Sequence, residues 1–110
     1  EGAAIMGLGQ AAMEQMVFDE HGVLRNAGAI DYRIPTFNDV AVRLASKSVE
    51  NHDGPGPYGA KGISESALLV TGAALGAAIA DATGVVVRDL PITPERLWKE
   101  IQRQQPHTEE

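Results

Sequence analysis

Between Lys61 and Asp81 the chain has a single ionisable residue, Glu65, and from Ser66 to Ala80 it has none. Leu68, Leu69, Leu75 and Ile79 are spaced through this run among alanines. Such a stretch has no solvated face, so it reads as a helix that must be hidden by its surroundings. It falls short of the roughly 20 residues that span a bilayer. The sequence therefore predicts a helix buried in protein and no membrane span. Ser64 is the predicted N-cap, Thr83-Gly84 the end, and Gly72 and Gly76 mark the side that packs closely.

The approach to this helix is as distinctive as the helix. From Glu50 to Gly62 the chain is rich in Asn, His, Asp, Gly and Pro and supports neither helical nor strand periodicity. Structureless loops of about a dozen residues are uncommon in compact domains without a role, so this one reads as functional. Glu65 then stands alone at the mouth of the helix. By itself a carboxylate there is a dipole-favoured residue worth about 0.3–1 kcal/mol.

Elsewhere the pattern predicts mixed structure. Ile5, Leu8, Ala12 and Met16 recur at helical spacing, giving a helix from Gly2 to Met16 whose Gly2, Gly7 and Gly9 imply close approach of another backbone or a ligand. Val17 to Arg25 reads as a hairpin turning at Gly22. Ile30, Tyr32 and Ile34, then Val40, Val42 and Leu44, alternate as a second pair of strands, and Val85 to Val87 is a further short strand. Thr93-Pro94-Glu95 opens a last helix anchored by Leu97, Trp98 and Ile101. The fold class that follows is α+β, with about three helices packed on a small mixed or antiparallel sheet. One domain covers residues 1–110, with a frayed tail from Gln102 to Glu110.

Composition narrows the function classes. A net charge of −6, with only 9 Lys and Arg and no basic cluster, argues against nucleic acid and anionic membranes. The count of 0 cysteines excludes a disulfide, an iron–sulfur cluster or a thiolate metal site within the segment and is compatible with a cytoplasmic protein. The acidic start at Glu1 does not have the form of a secretory signal, and the sequence reads as a piece excised from a longer chain. Gly7-Leu8-Gly9-Gln10-Ala11-Ala12 has the lettering of a dinucleotide fingerprint but follows a helix-like stretch, not a strand. Gly54 to Lys61 approaches a phosphate loop, but Ala60 intrudes before Lys61, and Pro55 and Pro57 remove amide donors. His21, His52 and His107 have no ligand spacing and read as solvated. Met6, Met13 and Met16 read as packing residues.

One resemblance runs through most of the chain. Gly59-Ala60-Lys61-Gly62-Ile63-Ser64-Glu65 resembles the glycine-rich active-site motif near the C-terminus of molybdenum hydroxylase large subunits, the xanthine dehydrogenase, aldehyde oxidase and carbon monoxide dehydrogenase family. Three more stretches resemble it in the same order. These are Glu1-Gly2-Ala3 through Gly7-Leu8-Gly9-Gln10-Ala11, then Asp31-Tyr32-Arg33-Ile34-Pro35-Thr36, and finally Asp81-Ala82-Thr83-Gly84 with Arg88-Asp89-Leu90-Pro91. Relatives commonly have Gly before the glutamate and Pro after it, where this chain has Ser64 and Ser66.

The resemblance implies a fragment, inactive alone, of a catalytic subunit that binds a molybdenum–molybdopterin cofactor. It implies oxidative hydroxylation of an aldehyde or N-heterocycle by a molybdenum-bound hydroxide, with Glu65 as general base and hydride transfer to the sulfido ligand. Ile63 would line the cofactor, flanked by Lys61, Gly62 and Ser64, and no residue of the segment would ligate the metal. The implied partners are the remainder of the large subunit, iron–sulfur (2Fe-2S) and flavin (FAD) subunits or domains, and a small-molecule substrate, with homo-oligomerisation a further expectation. The competing expectation is a non-catalytic interaction or scaffold domain that keeps the fold.

Overall fold

The computed structural model describes residues 1–40 and 43–104. Three α-helices carry the architecture: α1 (Gly2–Ala12), α2 (Ser66–Thr83) and α3 (Pro94–Gln104). Single 3-10 turns occur at Phe37–Asp39 and Pro57–Gly59.

α1 packs against α2, and glycine makes the approach possible. A Cβ on Gly7 would lie 2.6 Å from Thr71 Cβ and 3.0 Å from the Leu68 carbonyl oxygen. On Gly9 it would meet the Pro35 ring at 2.6 Å. The close approach expected of Gly7 and Gly9 is thus met by α2 and by the 32–35 segment, whereas that expected of Gly2 is not, since a Cβ there would have nothing within 4 Å. α1 ends at Ala12 rather than Met16. Glu14 N–H turns back to the Gly9 carbonyl at 2.8 Å, and Ile92 N–H takes the Ala11 carbonyl at 2.6 Å. α2 starts one residue later than a Ser64 cap would give, because Glu65 holds the N-cap position. Gly84, at φ 71°, ends it in the left-handed conformation that glycine adopts without strain. Thr93 Oγ1 accepts the Arg96 N–H at 3.2 Å and caps α3. That helix continues through Gln104, so the frayed tail does not include Gln102 to Gln104, and residues 105–110 with His107 lie outside the described residues.

The expected α+β sheet is absent: among the described residues there is no strand, only one antiparallel bridge, Phe18 to Leu24. That bridge is the predicted hairpin, held by Arg25 N–H to the Val17 carbonyl at 2.8 Å and turned at Gly22, φ 76°. It is too short to be a sheet. The Ile30–Ile34 alternation coils instead of extending, because the Gly28 carbonyl takes the amides of Asp31 and Tyr32 at 3.1 and 2.9 Å. Of its expected partner strand, residues 41 and 42 lie outside the described residues. Val85 to Val87 finds a side chain in place of a strand. The Gln104 amide donates to the Val86 carbonyl at 3.0 Å and accepts the Val86 N–H at 3.3 Å.

The core is small. Ala3, Ala11, Val85 and Ile92 are the buried apolar residues, and Val85 is the largest side chain fully enclosed. α2 contains no buried residue, so the burial expected of it is not supplied within this chain. Trp98, expected to anchor α3, is 60% exposed. At 18 residues and a mean hydropathy of 1.5, α2 meets the length and composition of a helix able to cross a membrane, contrary to the shorter span expected. The bulk dimensions agree with a deficit of burial. A folded monomer of this mass exposes about 5,800 Å², whereas this chain exposes 9106 Å². Its radius of gyration is 18.0 Å, against about 13 Å for a compact domain of this length.

Candidate functional site

The 61–65 segment runs from the glycine-rich loop to the mouth of α2. Glu65 directly precedes the helix, and its carbonyl closes the first turn by accepting the Leu68 N–H at 3.1 Å. Its side chain forms no capping bond and is exposed. Neighbouring atoms are tied down only in part. Ser66 Oγ donates to the Ile63 carbonyl at 3.3 Å, and Ile63 itself is 72% exposed. Among the described residues the amides of Gly62, Ile63, Ser64 and Glu65 have no acceptor. Four consecutive unpaired N–H groups leading into a helix N-terminus form a local concentration of positive dipole, suited to an anion.

Lys61 stands apart from its neighbours in having a fixed partner. Its Nζ lies 3.1 Å from Asp53 Oδ1, across the loop. The loop between them is tightly turned. Gly59 has φ 78° and Tyr58 has φ 55°. The amides of Gly56, Gly59 and Ala60 bond to the carbonyls of Ala60, Gly56 and Pro57 at 3.0–3.1 Å.

Lys61, Gly62 and Ile63 share one cleft of about 390 Å³, with Ser48 through His52 forming its facing wall. Ser64 and Glu65 do not line it. The structure thus brings three of the five residues singled out from sequence into one concavity and leaves the other two at the helix mouth beyond it. Among the described residues, no group of three or more His, Cys, Asp or Glu side chains could hold a metal ion.

A larger cleft, about 670 Å³, lies between α1 and the 32–35 segment and escaped the sequence reading. Ile5, Met6, Tyr32, Ile34 and Leu68 line it, and on its wall Tyr32 Oη donates to Glu14 Oε2 at 2.7 Å. That bond and burial of the ring hold the Tyr32 phenol above its usual pKa range, since ionising it would set a second negative charge against the carboxylate. The bond joins residues far apart in sequence, and no local pattern announces it. The turn at residues 19–23 is held by a second carboxylate. Asp19 Oδ1 accepts the amides of Val23 and His21, each at 2.9 Å, and its Oδ2 pairs with Arg25 Nη2 at 2.5 Å. The Val23 hydrogen bond is the chief reason its pKa lies below the ordinary carboxylate value.

Comparison with known proteins gives this geometry a context. Residues 1–41 match the molybdopterin cofactor-binding domain family. The chain is 39% identical over 97 residues to a xanthine dehydrogenase molybdenum-binding subunit of Escherichia coli O157:H7, covering 87% of the chain and 13% of that protein. It is 35% identical over 108 residues to the gamma subunit of the 6-hydroxypseudooxynicotine dehydrogenase complex of Paenarthrobacter nicotinovorans, covering 92% of the chain and 13% of the relative. The crystal structure of quinoline 2-oxidoreductase from Pseudomonas putida 86 superposes with a TM-score of 0.72 at 34% identity, over 92% of this chain and 13% of that one. The chain therefore spans about one eighth of the length of these relatives.

Proposed function

We propose that this chain, similar over most of its length to the molybdenum-binding subunits of xanthine dehydrogenase and aldehyde oxidoreductase, is one segment of such a subunit and forms the part of it carrying the active-site base. The observation that carries the reading is the stretch Gly62–Glu65. Among the described residues its amides have no acceptor, and it delivers one isolated carboxylate to the mouth of a helix that is uncharged as far as Ala80.

Those amides supply unpaired N–H donors of the kind an anionic pterin or its phosphate would accept. Gly62, Ile63 and Ser64 would hold it, with Lys61 beside them. When bound, the molybdenum cofactor supplies the oxygen and takes up the electron pair leaving the substrate carbon. Glu65 would accept the proton released when an aldehyde or N-heterocycle carbon is hydroxylated. The anchored side of the site is α2, fixed by Gly7 against Thr71, while the loop fixes the other side. The 2Fe-2S and FAD centres that would take up the electrons would lie on other domains or subunits.

The burial deficit supports the same reading. The chain exposes about 3,300 Å² more than a folded monomer of its mass would, and the relatives are several times longer. The remainder of the large subunit covers this area, including the α2 residues Leu69 and Val70, which are 81% and 63% exposed. On this reading protein rather than lipid surrounds α2.

Glu65→Gln in the full-length subunit tests the assignment. The amide cannot take a proton, so turnover falls about 10²–10⁴-fold with molybdenum content unchanged. Near-normal turnover in that variant would overturn it.

A further inference from the structure

The residues before the site are bound to one another in a way that the chemistry at Glu65 does not by itself require. A Cβ on Gly59 would lie 2.5 Å from the His52 carbonyl oxygen and 2.9 Å from its carbon. On Gly54 it would overlap the Gly59 oxygen and lie 2.6 Å from that of Ala60, and on Gly56 it would lie 2.8 Å from the Ala60 oxygen. Three glycines thus let the backbone at 54–60 fold flat onto itself and onto His52, at separations no side chain would permit. Gly59 is the most constrained, because its φ of 78° also excludes most residues on conformational grounds. The Asp53–Lys61 pair closes the ends of this ring. Immediately after the ring, the amides from Gly62 to Glu65 have no acceptor among the described residues, and the segment is tied only from α2, where Ser66 Oγ and Leu68 N–H donate to the Ile63 and Glu65 carbonyls.

We propose that this closed ring is a positioning device: Gly59, through its contact with His52, and Asp53, through Lys61, set where the Gly62–Glu65 segment starts and so where the Glu65 carboxylate and the free amides lie. On this account Lys61 acts by closing the ring, its ammonium being engaged by Asp53, and not by contact with the cofactor. The inference rests on the functional reading of Glu65 given above. Two anchors determine the segment, α2 from the C-terminal side and the ring from the N-terminal side. Loosening either one leaves the carboxylate present and misplaced. A displacement of about 1 Å in a reacting group costs on the order of 10²-fold in rate. The exposed ion pair is the weaker of the two fastenings, and its loss costs about two- to fivefold.

The test uses the full-length, cofactor-loaded enzyme containing this segment, with Glu65→Gln prepared alongside as reference. Gly59→Ala should retain molybdenum, lower kcat about tenfold or more with KM little changed, and speed hydrogen exchange across residues 59–66. Lys61→Asp should lower kcat about two- to fivefold, and adding Asp53→Lys should restore it, because the reversed pair closes the same ring. Both positions of the pair are at the surface, so the exchange of charges decides the matter even if Gly59→Ala fails to fold. Normal kcat and unchanged exchange in Gly59→Ala would overturn the proposal. So would failure of the reversed pair to recover what Lys61→Asp loses, the outcome if Lys61 meets the cofactor directly. Should Glu65→Gln turn over normally, the reading of the base fails. If only Glu65→Gln is impaired, the base stands and the ring falls.

Discussion

Gly7→Ala is the sharpest probe of how the helices hold the site. The added Cβ would sit 2.6 Å from both Thr71 Cβ and Thr71 Oγ1 and 3.0 Å from the Leu68 carbonyl oxygen. Carbon atoms rest about 3.5–4.0 Å apart, so α1 and α2 must separate by about 1 Å. Thr71 cannot swing away, because its Oγ1 is bonded to the Ala67 carbonyl at 2.8 Å and its Cβ is fixed by the backbone. Overpacking of this kind costs about 1–3 kcal/mol, and the better helix propensity of Ala returns about 1 kcal/mol. The net destabilisation is about 0–2 kcal/mol. Leu68 lies in the turn that Glu65 opens, so the same 1 Å shift reaches the carboxylate and lowers turnover on the order of 10²-fold. Measuring kcat and molybdenum content of the full-length subunit for Gly7→Ala, Thr71→Gly and the double variant makes a cycle. The double variant moves the Cβ from one helix to the other, so it should recover activity that Gly7→Ala loses. Purely additive losses would refute the close-approach argument.

Other consequences are as direct. The Asp19 carboxyl has its pKa lowered in the folded state, so it stabilises the 19–23 turn above the ordinary value of 3.8 and loses that contribution as pH falls through its folded value. Amide exchange at His21 and Val23 should accelerate in that acid range, and Asp19→Asn should show fast exchange already at neutral pH. The Tyr32 phenol should ionise above the usual 10.0 in an absorbance titration and move back toward it in Glu14→Gln. An unmoved titration would mean that the 2.7 Å bond to Glu14 is not made in solution. Expressed alone, the 110-residue chain should contain no molybdenum by elemental analysis and oxidise neither aldehydes nor purines, since most of its relatives' length is missing.

Local chemistry was legible where the chain satisfies its own needs. Thr93-Pro94 opens α3, Gly84 closes α2 and Gly22 turns the 18–24 hairpin because each is set by backbone groups a few residues away. Burial was not legible, because it is supplied from outside the segment. The apolar residues from Leu68 to Ile79 look like a core helix in sequence, yet no α2 residue is buried here. The alternation at Ile30 and Ile34 misled for the same reason. These side chains are 87% and 62% exposed and have no neighbouring strand among the described residues. Period-two spacing marks two faces, and nothing in it says that a ladder lies beside them. At the site, Glu65 stood out by its isolation, whereas the Asp53–Lys61 closure depended on a loop conformation that composition does not specify.

The structure of the cofactor-loaded, full-length subunit measures the central claim directly. The account predicts the amides of Gly62–Glu65 hydrogen-bonded to the cofactor. It also predicts a Glu65 carboxylate within about 2.6–3.2 Å of the reacting group or one water away. A carboxylate turned away from the cofactor, or locked in an ion pair with a structural cation, would contradict it.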